Sequence, residues 1–212
     1  LAPAAPTSPT PPGTTGRSPG GRGGRPRLSH VFVIMLENHS KSSVLGDANA
    51  PFMNQLASQY AVAGNYYGVT HPSEPNYLAF FSGSTQGVTD DSCPNNFSGV
   101  NLGSELLAGG LGFKGYSESM PSNGYTGCDT GLYARKHNPW VDFTNVPAGE
   151  NLPFSAFPSD YRTLPTVSFV VPNLDDDMHD GTVAQGDAWL QTHLAAYAGW
   201  AKAHNSELLV TW

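Results

Sequence analysis

The chain has 212 residues, 39% of them hydrophobic and only 13% charged, with a net charge of −7. That length suits one α/β domain with or without a tail, and the longest apolar runs, HVFVIML and LLVTW, fall far short of the ~20 residues a membrane helix needs. Residues 1–30 carry four arginines and no acid, leaving six bases against 17 acids in the body. That net of −11 excludes the basic face of a nucleic-acid binder.

In chain order, residues 1–29 hold seven prolines and six glycines. Such a segment cannot bury enough surface to offset its ordering entropy, so it is read as a disordered linker ahead of a domain over 30–212. HVFVIML (30–36) is a β-branched apolar run of strand length, as expected of a strand buried on both faces. It ends abruptly in Glu37-Asn38-His39-Ser40. PFMNQLASQYAVA (51–63) predicts a helix opened by Pro51. Residues 73–84 predict a second helix with Ser73 at its N-cap. A short helix over 103–109 and a strand over 113–117 follow, then a long Pro/Gly-rich irregular stretch, 118–164. TVSFVV (166–171) is another buried strand, closed by Pro172 and the polar run Asn173-Leu174-Asp175-Asp176-Asp177-Met178-His179-Asp180. Residues 183–203 give the clearest helix, with Trp189, Leu190, Leu194, Tyr197 and Trp200 on one face. LLVTW is a third buried strand. Strands alternating with helices define the class as α/β, with a mostly parallel sheet and helices on both faces.

Ligands of a parallel sheet bind at the carboxyl ends of its strands, and two strong strands end here in carboxylates and amides. Oxygen donors of this kind suit a hard divalent cation, and histidine admits zinc or iron as well. Asp175 and His179 are four apart and share a face if the segment turns helically. Each cluster also has a bland reading: a helix cap for Glu37-Asn38, a solvated acidic loop for 175–180, a plain N-cap for Ser73. Asp187 is explained by helix capping, Arg135 and Lys136 by surface solvation or a phosphate contact. Tyr77, Phe80 and Phe81 are read as helix core. Cys93 and Cys128 lie in loop sequence without metal-ligand spacing. They form either a disulfide or two buried thiols, and a chain opening LAPAAPTSP with few lysines favours the disulfide of an exported, secreted protein.

VIMLENHS, THPSEPNYLAFFSG, YARKHNPW and VVPNLDDDMHDGTVAQGDAWL together resemble the bacterial phosphoesterase family of acid phosphatases and phospholipases C, within the alkaline-phosphatase superfamily. The resemblance runs over 30–212. It implies an alkaline-phosphatase-like fold and a phosphomonoester hydrolase that works through a metal-activated serine and a phosphoserine intermediate. The substrate would be a small-molecule or lipid phosphomonoester, a phosphoinositide among them, reached without a transmembrane segment through transient contact with a membrane surface. By position, the resemblance makes Ser73 the nucleophile, with His71 and His179 as further catalytic groups. Asn38, Asn76 and His137 would bind the phosphate. Glu37, Asn38, Ser73 and Asp175 would hold a divalent metal ion. A phosphodiesterase of the same family and a non-catalytic secreted binding module are the rival readings. The family's final strand is followed by further acidic ligands, so a chain ending at Trp212 is expected to be C-terminally incomplete and to bind metal weakly.

Overall fold

The computed structural model describes residues 28–212, so the expected linker lies outside the described residues except for Leu28 and Ser29. In chain order the elements are β1 (Val31–Met35), α1 (Lys41–Val44), α2 (Pro51–Gln59), α3 (Ser73–Ser82), α4 (Leu102–Ala108), β2 (Phe113–Ser117), β3 (Asp129–Thr130), β4 (Tyr133–Ala134), β5 (Asn151–Pro153), β6 (Val167–Val171), α5 (Val183–Ala203) and β7 (Glu207–Thr211). Five strands form one sheet in the order β5-β2-β6-β1-β7, and every pairing in it is parallel. β3 and β4 form a separate antiparallel hairpin.

The central strands are buried on both faces: β1 is apolar throughout, and β6 is apolar except for the buried Ser168. Along β1, Phe32 and Ile34 pack into a core with α2 and α5 residues such as Met53, Leu190 and Tyr197. Val33 and Met35 face the opposite core, with Tyr77, Leu78 and Phe81 of α3 and with Trp140 and Phe169. This is the period-2 alternation of a strand between two layers. Burying these large side chains contributes roughly 1.5–3 kcal/mol each. Gly115 in β2 is required by the second core, since a Cβ there would run into the Trp140 ring.

Two helix ends show how the layers lock. A capping box between Thr182 and Gln185 starts α5. Asp187, one turn later, caps a different helix: its two oxygens accept the backbone N–H groups of Phe52 (3.0 Å) and Met53 (2.8 Å). These are orphan donors at the start of α2, so the acid ties α2 to α5.

The stretch 118–164 is more ordered than its composition implies. It holds β3, β4 and β5 and five short 3₁₀ turns, among them Arg135–His137 and Pro139–Asp142. β5 escapes a periodicity reading because it is three residues long and ends in Pro153, a residue confined to sheet edges. Cys93 and Cys128 are joined in a disulfide with Cα atoms 5.8 Å apart, which ties the loop after α3 to the hairpin. Among the described residues no helix is long and apolar enough to cross a membrane.

Candidate active site

The site forms where the carboxyl ends of β1 and β6 meet the start of α3. The Glu37 backbone N–H donates to the Asp177 carbonyl at 2.8 Å, which fastens the turn after β1 to the turn after β6. Both turns use a left-handed residue, Asn38 (φ 67°) and Met178 (φ 75°). Asn tolerates that region; a buried Met does so only where packing and hydrogen bonds over-determine it. Gly181 completes the second turn, since a Cβ there would strike the Asp175 carbonyl.

Ser73 is the first residue of α3, not its cap: Pro72 occupies the N-cap position. The serine hydroxyl instead donates to Glu37 Oε1 at 3.2 Å. Glu37 is only 8% exposed. Around the same carboxylate oxygen stand His137 Nε2 at 3.1 Å and His179 Nε2 at 3.4 Å, and Lys136 Nζ lies 3.4 Å from His179 Nε2. The capping explanation for Glu37-Asn38 falls too, because α1 is preceded by Ser40.

His137 is held by a rigid turn. Its neighbour Arg135 is buried and donates to Asp142 Oδ1 (2.9 Å), to the Thr126 carbonyl (2.7 Å) and to the Asn95 carbonyl (2.7 Å). Asn138, on the other side, donates to the Ala134 carbonyl at 2.7 Å and accepts from Ser117. Arg135 is therefore a framework residue. Lys136 points to the mouth of the site, where it pairs with Asp91 at 3.1 Å.

Charge follows from this geometry. Burial disfavours the charged His137 ring, but the carboxylates of Asp177 and Glu37 outweigh it and raise its pKa to about 9. Burial likewise opposes ionisation of Glu37, yet His137, His179 and the Ser73 hydroxyl together hold its carboxyl below the usual range. Burial and the charges of Glu37 and Asp177 push the Tyr77 phenol well above its ordinary value, so it stays neutral.

Several expected residues land elsewhere. Asp175 is not in the cluster: the segment forms a tight turn, not a helix, and the buried Asp177 is the acid delivered to the site. Asn76 has no hydrogen-bonding capacity left for a phosphate. Its Oδ1 accepts from Val69 N–H (2.8 Å) and Thr70 N–H (3.0 Å), and its Nδ2 donates to the Thr70 (2.6 Å) and Pro72 (2.9 Å) carbonyls. It latches the loop that carries Ser73. Asn38, next to Glu37, and His71, two residues before Ser73, are both exposed. Sequence reasoning missed Asp177 and Tyr77 as parts of the site. Tyr77 was four residues from Ser73, one helical turn, and that spacing was the available signal.

The donor set fits a divalent cation. One carboxylate and two imidazoles present atoms within 4.8 Å of one another. His137 Nε2, His179 Nε2 and Glu37 Oε1 converge on one point; without metal His137 Nε2 is ion-paired to Glu37 at 3.1 Å, so a cation would displace its proton. Two nitrogens and one oxygen suit zinc or manganese better than magnesium or calcium.

Sequence comparison places the chain in a family. A parallel α/β sheet with a serine, a carboxylate and two imidazoles at its carboxyl edge defines a hydrolase-like architecture. Residues 47–212 match the model of the Phosphoesterase family, and the chain belongs to that family. It is 54% identical over 190 residues to a phosphatidylinositol-3-phosphatase of Mycobacterium tuberculosis, covering 88% of this chain and 64% of that protein. It is 34% identical to a probable acid phosphatase of Kluyveromyces lactis (77% of this chain, 42% of that one) and 32% identical to an acid phosphatase of Aspergillus fumigatus (77% and 39%). The chain thus spans under two thirds of the length of these relatives. No solved structure matches it.

Proposed function

We propose that the protein is an exported phosphomonoester hydrolase that uses Ser73 as nucleophile and a divalent cation held by Glu37, His137 and His179. The observation that carries this reading is the Ser73 hydroxyl at 3.2 Å from Glu37, in a cluster with two histidines and a lysine. Relatives named as phosphatases support the reaction class. The disulfide supports export, because such bonds persist in oxidising compartments. The lipid phosphomonoester named in the mycobacterial relative is the substrate class we favour, reached by transient contact with a membrane surface.

The side chains divide the work. Ser73 Oγ attacks phosphorus as its proton passes to Glu37, the acceptor it already faces. Lys136 stabilises charge on the phosphoryl oxygens, beside the cation that His137 would help to hold. Water at the open mouth of the site protonates the departing oxygen as the P–O bond to it breaks, and Glu37 returns its proton to Ser73 Oγ as a second water displaces that oxygen from phosphorus. A bound cation would lower the pKa of the serine hydroxyl and neutralise phosphoryl charge.

The test is turnover of p-nitrophenyl phosphate in zinc- or manganese-replete buffer. Ser73→Ala should lose at least ~99% of the wild-type rate, in line with removal of an attacking group. Equal rates in both would overturn the assignment. A preference for bis(p-nitrophenyl) phosphate would make the enzyme a diesterase instead.

A further inference from the structure

Asp177 touches all three members of the Glu37, His137 and His179 group. Its side chain is fully buried. Oδ2 lies 2.9 Å from His137 Nδ1, and Oδ1 accepts the backbone N–H of His179 at 2.8 Å. Its own carbonyl accepts the Glu37 N–H. Both carboxylate oxygens bond within the site, while its own N–H donates to the Asn173 carbonyl at 2.8 Å and holds the turn.

Tyr77 meets the same ring from its face. The phenol and imidazole planes are 11° apart with centroids 4.8 Å apart, a stacked pair. The Tyr77 ring is 4% exposed, and its hydroxyl is buried without a hydrogen-bond partner. Tyr77 stands on α3 one turn from Ser73, so the element that sets the nucleophile also sets the imidazole plane. An edge hydrogen bond fixes rotation within the ring plane, and a stacking partner fixes tilt. Together they leave one orientation.

We propose that Asp177 and Tyr77 are positioning residues that clamp the His137 imidazole by its edge and its face, so that Nε2 is presented to a divalent cation shared with Glu37 and His179. The proposal rests on the metal reading given above. Its chemistry is that of a carboxylate–imidazole–metal relay: a carboxylate on the far nitrogen fixes the ring and increases the basicity of the near one. Tyr77 adds a constraint that the carboxylate alone cannot supply.

The probe is Zn2+, titrated calorimetrically into the metal-free chain. Asp177→Asn keeps the shape of the side chain and an oxygen for the His179 N–H, and should weaken Zn2+ binding about 10- to 100-fold. Tyr77→Phe keeps the stack and should bind within about threefold of wild type, while Tyr77→Leu should lose about tenfold or more, both read against that same scale. A loss in Asp177→Asn that comes with an unchanged melting temperature separates positioning from general stability. Wild-type affinity in Asp177→Asn overturns the proposal, even if Tyr77→Leu does not fold. A wild-type chain that binds no Zn2+ overturns the metal reading instead. The clamp is then read from the His137 Nδ1–H proton resonance: downfield and slow to exchange in wild type and Tyr77→Phe, lost in Asp177→Asn. A resonance unchanged in Asp177→Asn overturns the clamp.

Discussion

Two buried charge clusters flank the first turn of α3, and they are built to opposite ends. Below it, Arg135, Asp142 and Glu74 are 4%, 1% and 2% exposed, and the guanidinium is committed to one carboxylate and several backbone carbonyls. Above it, His137 sits between Asp177 and Glu37, but the cluster opens to solvent through His179, Lys136 and Ser73. The first cluster is sealed and its cation is saturated. The second keeps the Ser73 hydroxyl and the His179 ring at its rim. Buried charge alone therefore does not mark a site, nor do unbonded buried atoms, which the sealed cluster also has in Glu74 Oε2 and Asp142 Oδ2; a solvent-facing nucleophile beside the charges does.

Removing the cation from the sealed cluster should have the largest effect on stability. Arg135→Ala leaves Asp142 buried and unpaired and should cost about 3–5 kcal/mol in urea unfolding. A cost under ~1 kcal/mol would show that the pair is not part of the framework.

The open cluster should reveal itself through pH. With its pKa raised to about 9 in the folded state, His137 contributes stability that is fully present below its ordinary value near 6.5 and lost as pH rises through 9. At 1.36 kcal/mol per unit, the loss is on the order of 3 kcal/mol for the metal-free chain. Glu37, whose pKa is lowered, contributes stability present above its ordinary value and lost as pH falls through the lowered one. The contribution of the His137–Glu37 pair to metal-free stability should therefore be greatest between about pH 5 and 6.5. Denaturant midpoints across pH should show the alkaline loss in wild type and not in His137→Gln.

A smaller effect tests the frame from a third position. Asp187→Ala strips both accepted bonds from the start of α2 and should cost about 2 kcal/mol, since hydrogen bonds to a charged group are worth more than neutral ones. The smallest concerns the rim. Lys136→Ala should change stability by less than about 0.5 kcal/mol while raising KM for p-nitrophenyl phosphate several-fold. An unchanged KM would remove Lys136 from phosphate binding.

The contrast also explains what the amino-acid sequence could disclose. β1, β2, β6 and α5 were legible to within a residue or so, because apolar runs and a long amphipathic stripe leave one way to bury them; β7 was legible in position only, since it is an edge strand whose Leu209 stays 40% exposed and not the buried strand its apolar run predicts. Glu37 stood out because strand ends collect chemistry, whereas Ser73 read alone as a plain N-cap and entered as nucleophile only through the family resemblance. Asp175 was chosen over Asp177 because an i, i+4 spacing assumes a helix, whereas Met178 and Gly181 impose a turn. Asn76 was assigned to phosphate because its local role, four hydrogen bonds to its own loop, depends on a backbone path that spacing does not encode. Tyr77 was assigned to the core, where its ring does lie; only the fold shows that the ring beneath it is His137.

The central claim is that Ser73 carries the phosphoryl group. The most direct measurement is rapid acid quench of the metal-replete chain during turnover of p-nitrophenyl phosphate, followed by peptide mass spectrometry. Phosphate on the peptide containing Ser73, absent in Ser73→Ala, is the predicted result. Turnover with no phosphate on Ser73, or with the phosphate on His137 or His179, would contradict it.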